Sequence, residues 1–370
     1  MYKYNHGGNA AFESGKDYII DLSANINPLG MPENVRNAIF REIQNCSRYP
    51  DNFSAGLREK IAKFENVKTD WLFCGNGTSD IIFRLPGTIQ AKKVMVAVPT
   101  FPDYERAARS FNSEIVSYTL HPESDFALGS GFVEAVWRVK PDLVFVCNPN
   151  NPTGKITETE LIRELLDCGL QTGALVIVDE CFLDFTEQAN KYTSKVFLEG
   201  YPNLVILKAF TKLFALPGIR LGYAICANKM LVDKLYFHGA DWPVSNLAQA
   251  AGIAALEDAE NFIIRTVAYV SAERTEMEKE LGRLGYRVFE ARANYVFLQN
   301  PYPLDLREEL DKKGIRIRSC GNLSGLDDSY YRIAVSKKEH NARLLATIVE
   351  LTKPKIKPGY LSLAKRRGFQ

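Results

Sequence analysis

The stretch AFTKLFALPGIRLGY, residues 209–223, places a hydroxyl at Thr211, an amine at Lys212 and a guanidinium at Arg220 in otherwise apolar surroundings. A lysine in an apolar, electropositive setting has a lowered pKa, so it can act as a nucleophile and later carry a proton. Asp179 closes the apolar run ALVIVDE, where an ionised carboxylate is costly unless a cation faces it. A helix cap or a structural ion pair is the alternative reading of that residue. CGNGTSD, residues 74–80, carries glycines that permit close backbone approach, ahead of a helix N-terminus whose free N–H groups suit an anion. NPNNPTG, residues 148–154, has the composition of a turn and offers Asn151 as a polar side chain beside it.

The elements that must position these groups follow from the apolar runs. KVMVAVP (93–99), DLVFVCNP (142–149), ALVIVDE (174–180) and NLVILKAF (203–210) predict buried strands. ITETELIRELLDCGLQTG predicts an amphipathic helix, with Thr157 or Thr159 as its cap and Gly173 near its end. Strands that are apolar throughout and separated by helices predict an α/β fold, with a mostly parallel sheet covered on both faces. Ligands then sit at the C-terminal strand ends, where the polar residues above fall. After Pro243, a long helical stretch leads to a terminal α+β unit containing ANYVFLQ, GIRIRS and YYRIAV. The expected division is an N-terminal arm with part of a small domain over 1–40, a large domain over 41–270, the rest of the small domain over 271–352 and a basic tail over 353–370.

Composition excludes several classes. The chain has 370 residues, 46% hydrophobic and 24% charged, with a formal net charge of +2. That is the profile of an ordinary globular protein, with no basic excess to recruit nucleic acid. The seven cysteines are scattered, without Cys-x-x-Cys spacing, so reduced thiols in a cytoplasmic protein are expected and no metal site. The N-terminus MYKYNHGGNA lacks a signal-peptide core, and no apolar run is long enough to span a membrane.

In order along the chain come Gly-Asn-Gly, Asn-Pro-Thr-Gly, Asp-Glu, and Thr-Lys with its later arginine. This set resembles the fold-type-I pyridoxal-phosphate enzymes, and among them the histidinol-phosphate aminotransferase branch. The resemblance runs from about Asn5 to Val335. It implies a large domain with a mostly parallel sheet, a smaller α+β domain built from both termini, and pyridoxal 5'-phosphate as cofactor. It further implies that Lys212 bonds the cofactor covalently, while Thr211, Arg220 and the backbone at Gly77, Thr78 and Ser79 hold its phosphate. Asp179 matches the partner of the ring nitrogen, Asn151 the donor to the phenolic oxygen, and Phe101 the stacking aromatic, with Tyr104 as second choice. Tyr49, in RYPD, matches a tyrosine that reaches the cofactor phosphate of the other subunit, which implies a homodimer. One departure stands out: Phe182 occupies a position where many of these aminotransferases carry a tyrosine that donates to the phenolic oxygen.

Three further stretches, HGGN (6–9), DLSANINPLGMP (21–32) and IRIRSCGNLSGLDDSYYRIAV (315–335), are more similar to the threonine-phosphate decarboxylases of cobalamin biosynthesis. Those enzymes also carry phenylalanine at the position of Phe182. That branch implies a small phosphorylated amino acid as substrate. Arg332 then receives the α-carboxylate and Arg318 the phosphate, with His6, Gly7 and Asn25 as further contacts; Asn151 also borders the substrate. Arg316 is expected to be a solvent-facing charge. The competing expectations are a histidinol-phosphate aminotransferase, a decarboxylase preferring serine phosphate, and a cofactor-binding regulatory protein without catalysis.

Overall fold

The computed structural model describes residues 7–8 and 20–352. Thirteen strands occur in the described chain. β1 is Ile20–Asp21, β2 Leu72–Gly75, β3 Lys93–Val98, β4 Glu114–Thr119, β5 Leu143–Cys147, β6 Leu175–Asp179, β7 Leu204–Ala209 and β8 Gly222–Ile225. β9 (Arg287–Phe289), β10 (Tyr295–Gln299), β11 (Ile315–Arg316), β12 (Arg318–Ser319) and β13 (Tyr330–Ala334) follow. The four apolar runs expected to be strands become β3, β5, β6 and β7.

Seven strands form one sheet in the order β2-β8-β7-β6-β5-β3-β4. β7, β6, β5, β3 and β4 pair in parallel, whereas β8 runs antiparallel to both β2 and β7. Every residue of β5 is buried, and so are all but the first of β6. Helices cover both faces, which is why these strands read as continuous rather than alternating apolar runs. Each Val, Leu or Ile so buried contributes roughly 1.5–3 kcal/mol relative to exposure. The C-terminal ends of β5, β6 and β7 deliver Cys147, Asp179 and Ala209 to one rim.

A second, antiparallel sheet has the order β12-β13-β10-β9, and β1 pairs in parallel with β11. β12 and β13 set Arg318 directly opposite Arg332. Antiparallel partners point to the same face, so both guanidiniums emerge together.

Several local expectations change. The helix expected after β5 spans Thr159–Thr172, but neither Thr157 nor Thr159 caps it. Asn148 instead donates to the Thr157 carbonyl and accepts from its N–H, tying it to the end of β5. Gly173 ends the helix at φ 84°, the left-handed conformation that glycine adopts most readily. The long helical stretch after Pro243 divides into Asn246–Ala255 and Ala259–Arg283. Arg316 is buried and bonds Asp311 at 2.6 Å, so it is not a solvent-facing charge. The basic tail and His6 lie outside the described residues.

Candidate active site

Lys212 sits in the one-turn helix Phe210–Leu213 that follows β7. It is half-buried and lines a cavity of about 300 Å³ at the strand ends. Burial, and then the positive charges of Arg332 and Arg220, push its ammonium down to about 8. The other lysine of this segment, Lys208, is unavailable. It lies 2.9 Å from Asp184 and 3.3 Å from Glu65, whose carboxylate Lys195 also pairs at 2.6 Å. Burial alone would favour a neutral Lys208 amine, but Asp184, Glu65 and Glu180 outweigh it and raise its pKa. The structure thus separates an amine poised for chemistry from an ammonium held in a buried ionic cluster.

Next to Lys212, the helix Thr78–Ile89 points its N-terminus at the cavity, with Thr78, Ser79, Thr211 and Arg220 all on the wall. Gly77 precedes the helix at φ 76° and ψ 166°, a conformation essentially reserved for glycine. A Cβ there would sit 2.6 Å from an Arg220 guanidinium nitrogen. Arg220 itself takes φ 59°, an unusual value for a residue with a side chain. Its guanidinium donates to the Pro217 carbonyl at 3.2 Å. Free helix N–H groups, three hydroxyls and a guanidinium form a cradle for a phosphate.

Asp179 lies on the same cavity, fully desolvated, and accepts from the Tyr104 hydroxyl at 2.7 Å and the Cys181 N–H at 3.0 Å. Burial raises its carboxyl pKa, hydrogen bonds from Cys181 and Tyr104 oppose this, and no described cation contributes. A protonated ring nitrogen is the kind of partner such a carboxylate lacks. Tyr104 stacks on Phe145 beneath the site and so supports Asp179 instead of covering a ligand. Phe101 lines the cavity, as do Phe182 and Cys181. A ring aldehyde carrying a phosphate, pyridoxal 5'-phosphate, fits this donor set.

Arg332 donates to Asn151 Oδ1 at 2.5 Å and to the Ser23 carbonyl at 2.7 Å, while its buried Nε has no partner. Asn25 also lines the cavity, and its Oδ1 is likewise buried without a partner. Arg318 donates to Asn322 Oδ1 at 3.0 Å. Burial and the neighbouring Arg332 charge push the Arg318 guanidinium down to about 10. Among the described residues, no carboxylate stabilises either guanidinium. Among the described wall residues, Lys212, Arg220, Arg318 and Arg332 therefore face only Asp103 and Asp179, and Asp103 is already paired with Arg106 at 2.7 Å. The cavity is built for anions.

Gly7 reaches the same wall, packed so closely on Ser23 that a Cβ would lie 2.0 Å from the Ser23 oxygen. Gly8 N–H donates to Ser23 Oγ at 3.0 Å. Tyr49 is not brought to this cavity: it is 79% exposed and stacks on Trp242 at 4.4 Å. Sequence reasoning did not single out Ser23, Thr100, Cys181, Asn322 or Leu323. Ser23 sits inside DLSANINPLGMP and Cys181 directly follows ALVIVDE, and adjacency to those noticed stretches is the signal that points to them. Leu323 falls inside IRIRSCGNLSGLDDSYYRIAV, but its place on the wall depends on how the loop between β12 and β13 docks.

The family model for "Aminotransferase class I and II" matches residues 17–348. The chain is 33% identical over 357 residues to the threonine-phosphate decarboxylase of Salmonella typhimurium, covering 94% of this chain and 96% of that protein. It is 32% identical over 342 residues to the histidinol-phosphate aminotransferase of Bacillus subtilis, covering 92% and 93%. Among solved structures, the histidinol-phosphate aminotransferase of Clostridium acetobutylicum superposes with a TM-score of 0.84 at 30% identity, covering 91% of this chain and all of that one.

Proposed function

The chain belongs to the class I and II aminotransferase family, and we propose that it decarboxylates L-threonine O-3-phosphate to (R)-1-amino-2-propanol O-2-phosphate, a reaction of cobalamin biosynthesis. One percentage point of identity does not separate the decarboxylase from the aminotransferase relatives, so the chemistry of the cavity must. The observation that carries the reading is the register-matched pair Arg318 and Arg332, two buried guanidiniums without a carboxylate partner among the described residues, facing one small cavity. A substrate bearing a carboxylate and a phosphate on adjacent carbons supplies both missing anions at once. Phe182, which offers no hydroxyl, supports a reaction tuned away from transamination.

Pyridoxal 5'-phosphate, when bound, supplies an electron sink for the bond being broken. In this reading Thr78, Ser79, Thr211 and Arg220 hold its phosphate, Asp179 keeps a proton on its ring nitrogen, Asn151 donates to its phenolic oxygen, and Phe101 covers its ring. Arg332 grips the substrate carboxylate, and Arg318 grips the substrate phosphate; planar guanidiniums bind such groups through parallel hydrogen bonds. The Arg332 grip fixes which substituent of the α-carbon is aligned for cleavage. Lys212 Nζ, with a pKa of about 8, delivers the proton that replaces the departing carbon dioxide at that carbon. One proton is consumed and one carbon dioxide released per turnover.

The same reading makes the protein a homodimer in the cytoplasm. Tyr49 is exposed on the surface of its own chain, and a second cavity of about 700 Å³, lined by Thr211, Lys212 and Arg220, opens beside the cradle. A tyrosine from a second copy can enter there. The test of the activity is carbon dioxide release from threonine phosphate in the presence of pyridoxal 5'-phosphate, run beside histidinol phosphate with 2-oxoglutarate. Release from the first and no keto-acid exchange with the second is expected. The reverse pattern makes the protein an aminotransferase.

A further inference from the structure

Arg318 has an unusual support. Its described hydrogen-bond acceptor is the neutral side-chain oxygen of Asn322, at 3.0 Å, although the guanidinium is buried. Buried arginines ordinarily pair with carboxylates, because a neutral acceptor offsets little of the desolvation cost. Here the surroundings add another cation, Arg332, on the facing strand.

Asn322 is held by a tightly folded loop between β12 and β13. Cys320 N–H donates to the Tyr330 carbonyl, Leu323 N–H to the Cys320 carbonyl, and Leu326 N–H to the Leu323 carbonyl. Gly325, at φ 87°, lies against Pro99 just past the C-terminal end of β3, and Ser324 Oγ donates to Glu105 at 3.4 Å. Leu323, the next residue, turns into the catalytic cavity, while Asn322 borders an adjoining outer cavity of about 240 Å³. The loop therefore fixes Asn322 at the rim on the Arg318 side.

We propose that Asn322 is a positioning residue that orients the Arg318 guanidinium toward the substrate's phosphate while leaving its full charge for that ligand. The inference rests on the reading of Arg318 given above. A carboxylate at this place would hold the side chain equally well, but it would neutralise the charge and compete with the incoming phosphate. An asparagine supplies the geometry of such a partner without its charge. Because Asn322 is exposed, its replacement leaves the core untouched.

The experiment compares the holoenzyme with Asn322→Ala and Asn322→Asp, using threonine phosphate, unphosphorylated threonine and inorganic phosphate. Asn322→Ala is expected to raise KM for threonine phosphate about 3–10-fold, the effect of losing one ordinary hydrogen bond, with kcat little changed. Asn322→Asp is expected to raise it roughly ten-fold further, because the new ion pair must be broken before the phosphate binds. KM for threonine should stay within about two-fold in both variants, since no phosphate is involved. Calorimetric binding of inorganic phosphate should weaken in the same order. Equal affinity of Asn322→Asp and Asn322→Ala for phosphate and for threonine phosphate overturns the proposal. So does a parallel rise in KM for threonine. A wild-type enzyme that releases no carbon dioxide from threonine phosphate refutes the parent reading instead, and the inorganic-phosphate ranking then decides the role of Asn322 by itself.

Discussion

At the scale of single residues, the decisive quantity is the proton on Lys212. Two guanidiniums and a desolvated wall act on it, and each disfavours the ammonium form. Capture of pyridoxal 5'-phosphate by the apoenzyme requires the free amine, so its rate should rise with pH through an inflection near 8 instead of the ordinary lysine value. Arg332→Gln removes one of the opposing charges, so the inflection should move to higher pH. Stopped-flow absorbance over pH 6–11 measures both. An inflection that stays fixed, or moves down, in Arg332→Gln means that the arginine does not set the proton affinity. The contrast with Lys208 shows why neighbours matter more than residue type. Lys212 and Lys208, four residues apart, are driven in opposite directions, the first by desolvation and then by Arg332 and Arg220, the second by Asp184, Glu65 and Glu180 against its desolvation.

At the scale of elements, the phosphate cradle depends on how a strand becomes a helix. β2 ends at Gly75, Gly77 takes a backbone conformation that other residues avoid, and the helix begins at Thr78 with its N–H groups free. Gly77→Ala should cost about 1–3 kcal/mol in backbone strain. It should also displace Arg220, whose guanidinium occupies the place of the new methyl. Both a lowered Tm and a weaker affinity for pyridoxal 5'-phosphate are expected, read by calorimetry and by fluorescence titration. A lowered Tm with unchanged affinity would show that Arg220 does not hold the phosphate. The facing strands β12 and β13 do comparable work for the substrate. Their register, and no local motif, makes Arg318 and Arg332 neighbours.

At the scale of the whole molecule, Tyr49 lies exposed on its own chain, away from the cavity it is proposed to serve in a second copy. Tyr49 and Trp242 stack on one another at the surface, with Phe53 also exposed nearby in sequence. If Tyr49 serves the other subunit's cradle, a Tyr49→Phe chain and a Lys212→Ala chain fail at different sites. Mixed dimers would then contain one intact site. Unfolding and refolding the two inactive variants together should restore up to about one quarter of the wild-type activity if chains pair at random, while each refolded alone stays inactive. Absence of any recovery, with both parents strongly impaired, would place each complete site within one chain.

The sequence by itself determined the parts whose physics is local. Short continuous apolar runs rich in valine and isoleucine favour buried strands over helices, so β3, β5, β6 and β7 were legible, and the polar residues at their ends marked the rim of the site. Lys212, Asp179, Asn151 and Arg220 were picked out as polar groups at or near those strand ends, and the structure places all four on one cavity wall; their roles came from the family resemblance. Local reading missed what depends on contacts between distant segments. Arg316 was expected to be a solvent-facing charge, but β11 pairs with β1 and its guanidinium turns to Asp311. Tyr104 was the second choice, after Phe101, for covering the ring, but packing on Phe145 aims its hydroxyl at Asp179. Asn322 and Leu323 lay inside the stretch IRIRSCGNLSGLDDSYYRIAV, but nothing local marked them as site residues. Their positions follow from a loop that leaves one sheet and docks on the other, and only the folded chain brings those surfaces together.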